Sequence, residues 1–514
     1  MDFNPGSRKE SEMEERGMYL KDLLEKAGYP APYSPAHFDP FIKGVTDNSR
    51  NVKPGYIFVA IKGEKVDGHV YLSNAVEKKA AALVVQRNNC EWPGIITIRV
   101  PDTREAIARL AHAFYDFPSR ECFTLGITGT NGKTSTAYLV RACLQADQKK
   151  TAIIGTIAHQ VGNRKIKAVN TTPSALELAK MYDQMRDEGI RNVVMEVSSH
   201  AICQKRILGV KFSVGLFTHL SQDHLDYHGT MEEYRKAKER FFTEYLSENK
   251  EAVAVFNMDD EAGRSFSEKF TGEKISYGIQ NKADVHTVNY DLSENGIRLE
   301  IDVRGEKIVV QSPLLGVFNV QNVTAAVAGA VAAGISKDAI VKGIASMKNV
   351  PGRFERIHEG QNYSVIVDYA HTPDALVRLL ESVEDFTGER IITVFGCGGD
   401  RDKSKRPLMA EAVANSMKRN DGDYAIITND NPRSEEPGEI ASQVEAGMKK
   451  ILGNNKRWEI VLDREEAIKK AIKMAGKGDV VIIAGKGHET YQVIGEETRH
   501  FDDREMARNV LKTL

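Results

Sequence analysis

The sequence predicts an α/β protein of three domains: an N-terminal α/β unit, a central and mostly parallel sheet around a P-loop-type phosphate loop, and a C-terminal Rossmann-like sheet. Three observations carry this. At 514 residues the chain exceeds what a single hydrophobic core organises. Beyond its first hundred or so residues, apolar strand-type runs alternate with helical periodicity, the pattern of parallel sheets covered by helices. Residues 124–136, TLGITGTNGKTST, pass from a strand through a Gly-rich loop into a Lys-Thr pair that opens a helix.

Composition narrows the function. Hydrophobic residues at 41% and charged residues at 28% are ordinary for a soluble enzyme. A net charge of −2 without a basic block leaves no electrostatic footprint for nucleic acid. The five cysteines, Cys90, Cys122, Cys143, Cys203 and Cys397, are scattered without C-x-x-C spacing, which argues against a disulfide framework or zinc site and for a reducing cytoplasm. Residues 1–16 are polar and are expected to form a disordered tail, with no signal peptide. The most apolar run, Val323 to Ala333, is well short of the roughly 18 residues of a membrane span, so no membrane insertion is expected.

The first domain, 17–102, opens on an amphipathic segment (Leu20, Leu23, Leu24, Ala27), followed by strand-type runs at Val45 and at Gly55 to Ile61 and a helix leading to a strand at Ala82 to Val85. A helix from Thr103 to Tyr115 then opens the second domain, 103–350. In its phosphate loop Gly129 and Gly132 let the main chain approach phosphate, Lys133 supplies a cation, and the Thr134 hydroxyl is placed for Mg²⁺, so ATP is the expected guest. The match departs from the strict motif, whose first Gly would fall at Ile127. Strands are expected at Thr151 to Thr156, Asn192 to Val197 and Val214 to Phe217, with Thr172 as N-cap and Pro173 as first residue of an intervening helix. Glu196 sits at a strand tip, as a Mg²⁺ ligand or a solvated end. Asp223 to His228 fits no zinc signature and reads as a polar loop; Lys238, among charged neighbours, reads on its own as a solvated helix lysine. Pro351-Gly352-Arg353 turns the chain into the third domain, 351–514. There Asp368 ends a strand, positioned to accept hydrogen bonds from a ribose, and strands at Ile391, Tyr424 and Val480 lack a G-x-G-x-x-G signature, which suggests an amino-acid site in place of NAD. Their loops, 396–403, 430–433 and 485–489, are polar; taken singly they are Asx-Pro turns or surface loops.

Gly129 to Thr134, as G-T-N-G-K-T, resemble the ATP site of the Mur ligase and folylpolyglutamate synthetase superfamily, in which ATP activates a carboxylate for amide formation. The resemblance extends to S-R-x-V-x-P-G-x-x-F-V-A-x-x-G from Ser49, E-V-S-S-H-x-x-x-Q-x-R from Glu196, S-x-D-H-L-D-Y-H-G from Ser221, and G-x-x-N-x-x-N-x-x-A-A from Gly316. It implies a UDP-binding first domain, with Asp47, Ser49, Glu64, Lys65 and Val66 facing the UDP-sugar. It implies that Gly129, Thr130, Asn131, Gly132, Lys133, Thr134, Asn319, Asn322, Arg353 and Asp368 hold ATP, and that Thr134, Glu196, His224 and a carbamylated Lys238 serve Mg²⁺. Lys133, His224 and Lys238 would be the catalytic set, and Asn170, Thr171, Thr172, Ser198, Gln204 and Arg206 would contact a muramyl dipeptide. The three C-terminal loops together resemble the family branch that adds meso-2,6-diaminopimelate to UDP-N-acetylmuramoyl-L-alanyl-D-glutamate, with Arg401, Asp430, Asn431, Pro432, Arg433, Gly485 and Glu489 around the amine. A monomer is expected. An L-lysine-adding ligase, a folylpolyglutamate synthetase-like ligase and an ATP-dependent switch protein are the alternatives.

Overall fold

The structure, a computed structural model, describes residues 16–30, 39–63, 66–87, 92, 94–293, 295–384 and 389–514. Residues 1–15 of the expected tail, together with Glu64, Lys65 and Cys90, lie outside the described residues. Arg16 is anchored: it pairs with Asp183, and its guanidinium lies 5.7 Å from the centre of the Tyr115 ring.

A four-stranded parallel sheet, Gly44–Thr46, Tyr56–Val59, Ala82–Val85 and Ile96–Arg99, forms the first domain. Leu20, Leu23 and Leu24 on the helix Leu20–Lys26 pack on it with the helix Thr103–Phe114. Asp102 caps the latter through Arg104 N (2.8 Å) and Glu105 N (3.3 Å). Leu176 and Ala179 of the second domain join the same core, so the two domains share apolar packing.

The central sheet has eleven strands. Its middle is parallel, running Thr151–Ile154, Asn192–Glu196, Phe123–Thr128, Val214–Phe217, Val253–Asn257, Glu273–Gly278 and Val285–Ser293. Both edges are antiparallel, made by the hairpins Ala158–Val161 with Arg164–Lys167 and Gly296–Val303 with Glu306–Ser312. Connections this short exclude the crossover that a parallel pair needs. In the second hairpin Arg304 (φ 52°) and Gly305 (φ 91°) both take the left-handed region that a two-residue turn of matching twist requires.

The expected cap at Thr172 is corrected. The helix is Ala175–Asp187, its N-cap is Ser174, and Ser174 and Glu177 form a reciprocal capping box. Thr172 instead donates its hydroxyl to Glu196 O at 2.8 Å, fixing the loop to the end of the neighbouring strand, and Pro173 precedes the helix. Ser174→Ala is expected to lower stability by about 1 kcal/mol in urea unfolding, with Ser174→Asp close to the parent protein. Equal midpoints for Ala and parent would show that the cap contributes nothing.

The third domain is a six-stranded sheet ordered Glu355–Ile357, Ser364–Asp368, Val480–Ala484, Ile391–Phe395, Tyr424–Ile427 and Trp458–Ile460, parallel except for the first pair. Helices cover both faces, Pro373–Glu384, Lys405–Met417 and Pro437–Leu452 on one and Arg464–Met474 and Asp503–Leu511 on the other. The fully buried Arg464–Asp503 pair (2.7 Å) also donates to Asn429 O and Ala484 O, locking two strand ends where ligand loops begin. No described helix is long and apolar enough to cross a membrane.

Candidate active site

A cleft of about 190 Å³ lies where the central strands end, and the third domain supplies part of its wall. The phosphate loop is its floor. Gly129 (φ 148°) faces Thr218, whose Oγ1 would lie 1.8 Å from an added Cβ, and Gly132 (φ 83°) faces Asn322 Oδ1 at 2.5 Å from one, so neither position admits a side chain. Gly132 starts the helix Lys133–Ala146 without a side-chain cap, which leaves first-turn N–H groups for an anion. Lys133 Nζ folds over the loop, donating to Gly129 O (2.9 Å) and Thr130 O (2.7 Å). Asn131 Nδ2 reaches Asp374 of the third domain at 3.2 Å.

Next to the loop, hard oxygen donors converge. Thr134 Oγ1 donates to Glu196 Oε2 (3.0 Å), and Thr156 donates through its N–H and its hydroxyl, both at 2.9 Å, to the two oxygens of that carboxylate. Glu196 is therefore a buried, oriented carboxylate and not a solvated strand end. This donor set suits Mg²⁺, which takes one or two carboxylate or hydroxyl oxygens and completes its shell with water and phosphate. Among the described residues no group of three or more His, Cys, Asp or Glu forms a cage. Arg353 crosses from the third domain to Thr134 Oγ1 at 3.2 Å and lies 4.4 Å from the Tyr369 ring centre. Thr156 was missed by sequence reasoning; its signal is the Gly155-Thr156 pair past a strand end, where a Cβ at 155 would meet Glu196 Oε1 at 2.3 Å.

The solvated reading of Lys238 is overturned. The helix Met231–Arg240 turns Tyr234, Ala237 and Lys238 inward, while Lys236 pairs with Glu232 (2.8 Å) and Glu233 (2.9 Å) outside. Lys238 is 1% exposed, donates to Gly129 O at 2.7 Å and lies 4.5 Å from the Tyr234 ring centre. Burial, and then the neighbouring Lys133, push its pKa well below the usual lysine range. His224 (φ 54°) stands beside it, its ring edge-on to His200 at 4.9 Å and 3.3 Å from Asp223 Oδ2.

The expected muramyl-peptide residues of the second domain meet at the same strand end. Thr171 Oγ1 is 3.1 Å from Thr156 Oγ1, Ser198 N donates to Thr172 Oγ1 at 3.1 Å, and Arg206 links Thr172 O (3.0 Å) to Gln204 Oε1 (2.7 Å). Asn170 is exposed beside them. Of those in the first domain, Asp47, whose charge neighbours are Glu177 and Lys180 of the second, and Val66 are exposed, while Ser49 is buried in the turn Ser49–Asn51. Asn322 bonds Asn319 at 2.8 Å on the helix that backs Gly132. Asp368 lines the cleft, and its Oδ2 and Oδ1 accept Phe354 N and Ala370 N at 2.7 Å, which fixes the turn that carries Arg353 and leaves further lone pairs on both oxygens.

The amine loops form a neighbouring assembly joined through Gly352, where an added Cβ would lie 2.0 Å from His488 N. Arg433 (φ 53°) donates Nη1 to Gly399 O at 2.7 Å, and Val493 O and Gly495 N bond its main chain. Arg401, exposed, lies with Arg433 around the neighbouring Gly398 and donates to Asp400 O at 3.0 Å. Pro432 O packs against Gly399, and a Cβ at Gly485 would meet Asp430 Oδ2 at 2.8 Å. Asn431 is not an open acceptor for an ammonium: its Oδ1 already accepts Lys486 Nζ (3.2 Å) and Val493 N (3.0 Å), and its Nδ2 donates to Glu489 (2.9 Å). Lys486, fully buried and 3.1 Å from Glu489, was missed; two glycines of positive φ flanking one lysine were its only signal.

A phosphate loop with an oxygen-donor site, closed by an arginine from a second α/β domain beside a polar loop cluster, defines a nucleotide-dependent, group-transferring α/β enzyme. Three family descriptions match along the chain: the Mur ligase family catalytic domain over residues 41–115, the Mur ligase middle domain over 127–330, and the Mur ligase glutamate ligase domain over 352–487. The chain belongs to the Mur ligase family. It is 43% identical to the UDP-N-acetylmuramoyl-L-alanyl-D-glutamate–2,6-diaminopimelate ligase of Geobacillus thermodenitrificans, an alignment covering 92% of this chain and 96% of that one. The ligase of the same name from Caldanaerobacter subterraneus subsp. tengcongensis is 40% identical over 96% of this chain and 99% of its own. A solved structure of a ligase of that name superposes with a TM-score of 0.66 at 31% identity, covering 97% of this chain and 99% of that chain.

Proposed function

We propose that this protein is the ATP-dependent ligase that joins meso-2,6-diaminopimelate to the D-glutamate γ-carboxylate of UDP-N-acetylmuramoyl-L-alanyl-D-glutamate, a cytoplasmic step of peptidoglycan precursor synthesis. The observation that carries it is the juxtaposition of the phosphate loop, the Thr134–Glu196 oxygen site and Arg353, with the Arg433 loop assembly adjoining through Gly352. The names of the relatives support the choice of substrates.

In this reading the γ-carboxylate attacks the γ-phosphorus of ATP, the bond to ADP breaks, and an acyl phosphate forms. The neutral amine then attacks the acyl carbon, phosphate leaves, and the amine's proton passes to solvent. Lys133, the first-turn N–H groups and Arg353 stabilise charge on the transferring phosphoryl group. Thr134 and Glu196 would hold Mg²⁺, which would supply positive charge to the phosphates, and His224 with a carbamylated Lys238 would hold a second ion. Thr171, Thr172, Ser198, Gln204 and Arg206 hold the dipeptide, and Asp47, Ser49 and Val66 the UDP end.

Hydroxylamine added in place of diaminopimelate is expected to yield the hydroxamate of the UDP-dipeptide together with ADP. ADP formed in full with no trapped product would rule out the acyl phosphate. ADP release that ignored both the dipeptide and the amine would favour a nucleotide switch.

A further inference from the structure

A second cavity, of about 570 Å³, shares no lining residue with the cleft. It is walled by Lys26, Ala27 and Gly28 of the first domain and by the helix Thr103–Phe114, the turn after it and residues 208–212 and 245–249 of the second, so it lies between the first two domains. Its size falls within the roughly 300–1,000 Å³ of small-molecule sites.

Its wall is cationic. Lys26, Arg109, Arg120 and Lys211 line it, against Glu248 as the one carboxylate of the lining. Lys26 is matched by Asp116 at 3.1 Å and Arg109 by Glu105 at 2.8 Å. Arg120 and Lys211 make no ion pair among the described residues, and the Arg120 guanidinium lies 3.9 Å from the Phe117 ring centre, which orients its planar fork.

The second observation is His112. It is 0% exposed and lines this cavity, and neither ring nitrogen has a hydrogen-bond partner. Gly209 (φ 91°) lies against the ring, where an added Cβ would be 2.5 Å from His112 Cδ2. Burial, and then the neighbouring Arg120, lower the His112 pKa to about 4, so the ring closes the back of the cavity uncharged and the positive charge of the wall comes from the basic side chains.

We propose that this cavity binds a small phosphorylated organic molecule, its phosphate on Arg120 and Lys211 and its body against Phe117 and Leu208. Because Lys26 to Gly28 of the first domain share this wall with 208–212, the segment that leads into the strand Val214–Phe217, the ligand would sit across the contact between the two domains.

The test is calorimetric titration of the full chain with glucose 6-phosphate and, separately, AMP, with excess ADP, UDP and Mg²⁺ filling the nucleotide sites. One equivalent of at least one probe is expected to bind, the pair separating sugar phosphates from nucleotides. The double variant Arg120→Ala/Lys211→Ala is expected to weaken that binding at least about tenfold. Lys211→Glu, an exposed single change, is expected to do the same with an unchanged melting temperature in the absence of probe. Failure of both probes to bind below about 1 mM, or binding that neither variant weakens, would overturn the proposal.

Discussion

Lys238→Ala is expected to lower kcat by on the order of 10²- to 10³-fold while leaving the KM for the UDP-dipeptide nearly unchanged. The amine is buried against the phosphate loop, 2.7 Å from Gly129 O, beside His224 and Tyr234. A surface lysine would have none of these contacts, and a purely structural one would need only its positive end. If Lys238 reacts with CO₂, its nitrogen bonds the carbon, releases a proton and presents two carboxylate oxygens to the site. Removal then deletes an oxygen ligand, and formate or acetate should restore part of the activity to the Ala variant, while Lys238→Arg stays inactive. Intact mass of the parent protein under mild conditions should show the added mass of CO₂. Ordinary turnover of Lys238→Ala would reduce the residue to a packing role, and loss without rescue would argue for a structural ammonium.

The amine choice should rest on Arg433. Its Nη1 is held by Gly399 O, while Nε and Nη2 make no hydrogen bond among the described residues, leaving an edge of the guanidinium for a carboxylate. Diaminopimelate carries such a carboxylate at its far end and L-lysine does not. Lysine would leave the guanidinium unpaired in the loop cluster, at a cost of a few kcal/mol, so kcat/KM for lysine should fall on the order of 10²-fold or more below that for diaminopimelate. Arg433→Ala should raise the KM for diaminopimelate by about 10²-fold and leave that for ATP in place. Position 433 has φ 53°, where any L residue is strained, so Arg433→Lys is the better control: it keeps charge and stem and loses the fork. Equal kcat/KM for the two amines in the parent protein would move the chain to the lysine-adding reading and leave the ligase chemistry standing.

The class of fold and the place of the phosphate loop are legible in the amino-acid sequence because both are local. Runs such as Val480–Ala484 and Ala82–Val85 are apolar at every position facing either side of the sheet, as a strand covered on both faces must be, and their alternation with helices imposes the parallel crossover. The glycines of G-T-N-G-K-T are legible for the same reason, since main chain that must approach phosphate tolerates no Cβ. Only the tertiary structure decided which side chains share a site. Lys238 has six charged neighbours within its own helix, and its burial comes from Gly129, 109 residues away. Arg353 meets Thr134 across 219 residues, Lys486 meets Asn431 across 55, and Asp368 Oδ2 accepts from Phe354 N in a turn 14 residues upstream. A segment's pattern records which face is dry and what its own main chain requires. The partner that satisfies a buried ammonium or carboxylate is supplied by another part of the chain, and its identity is written only where the two meet.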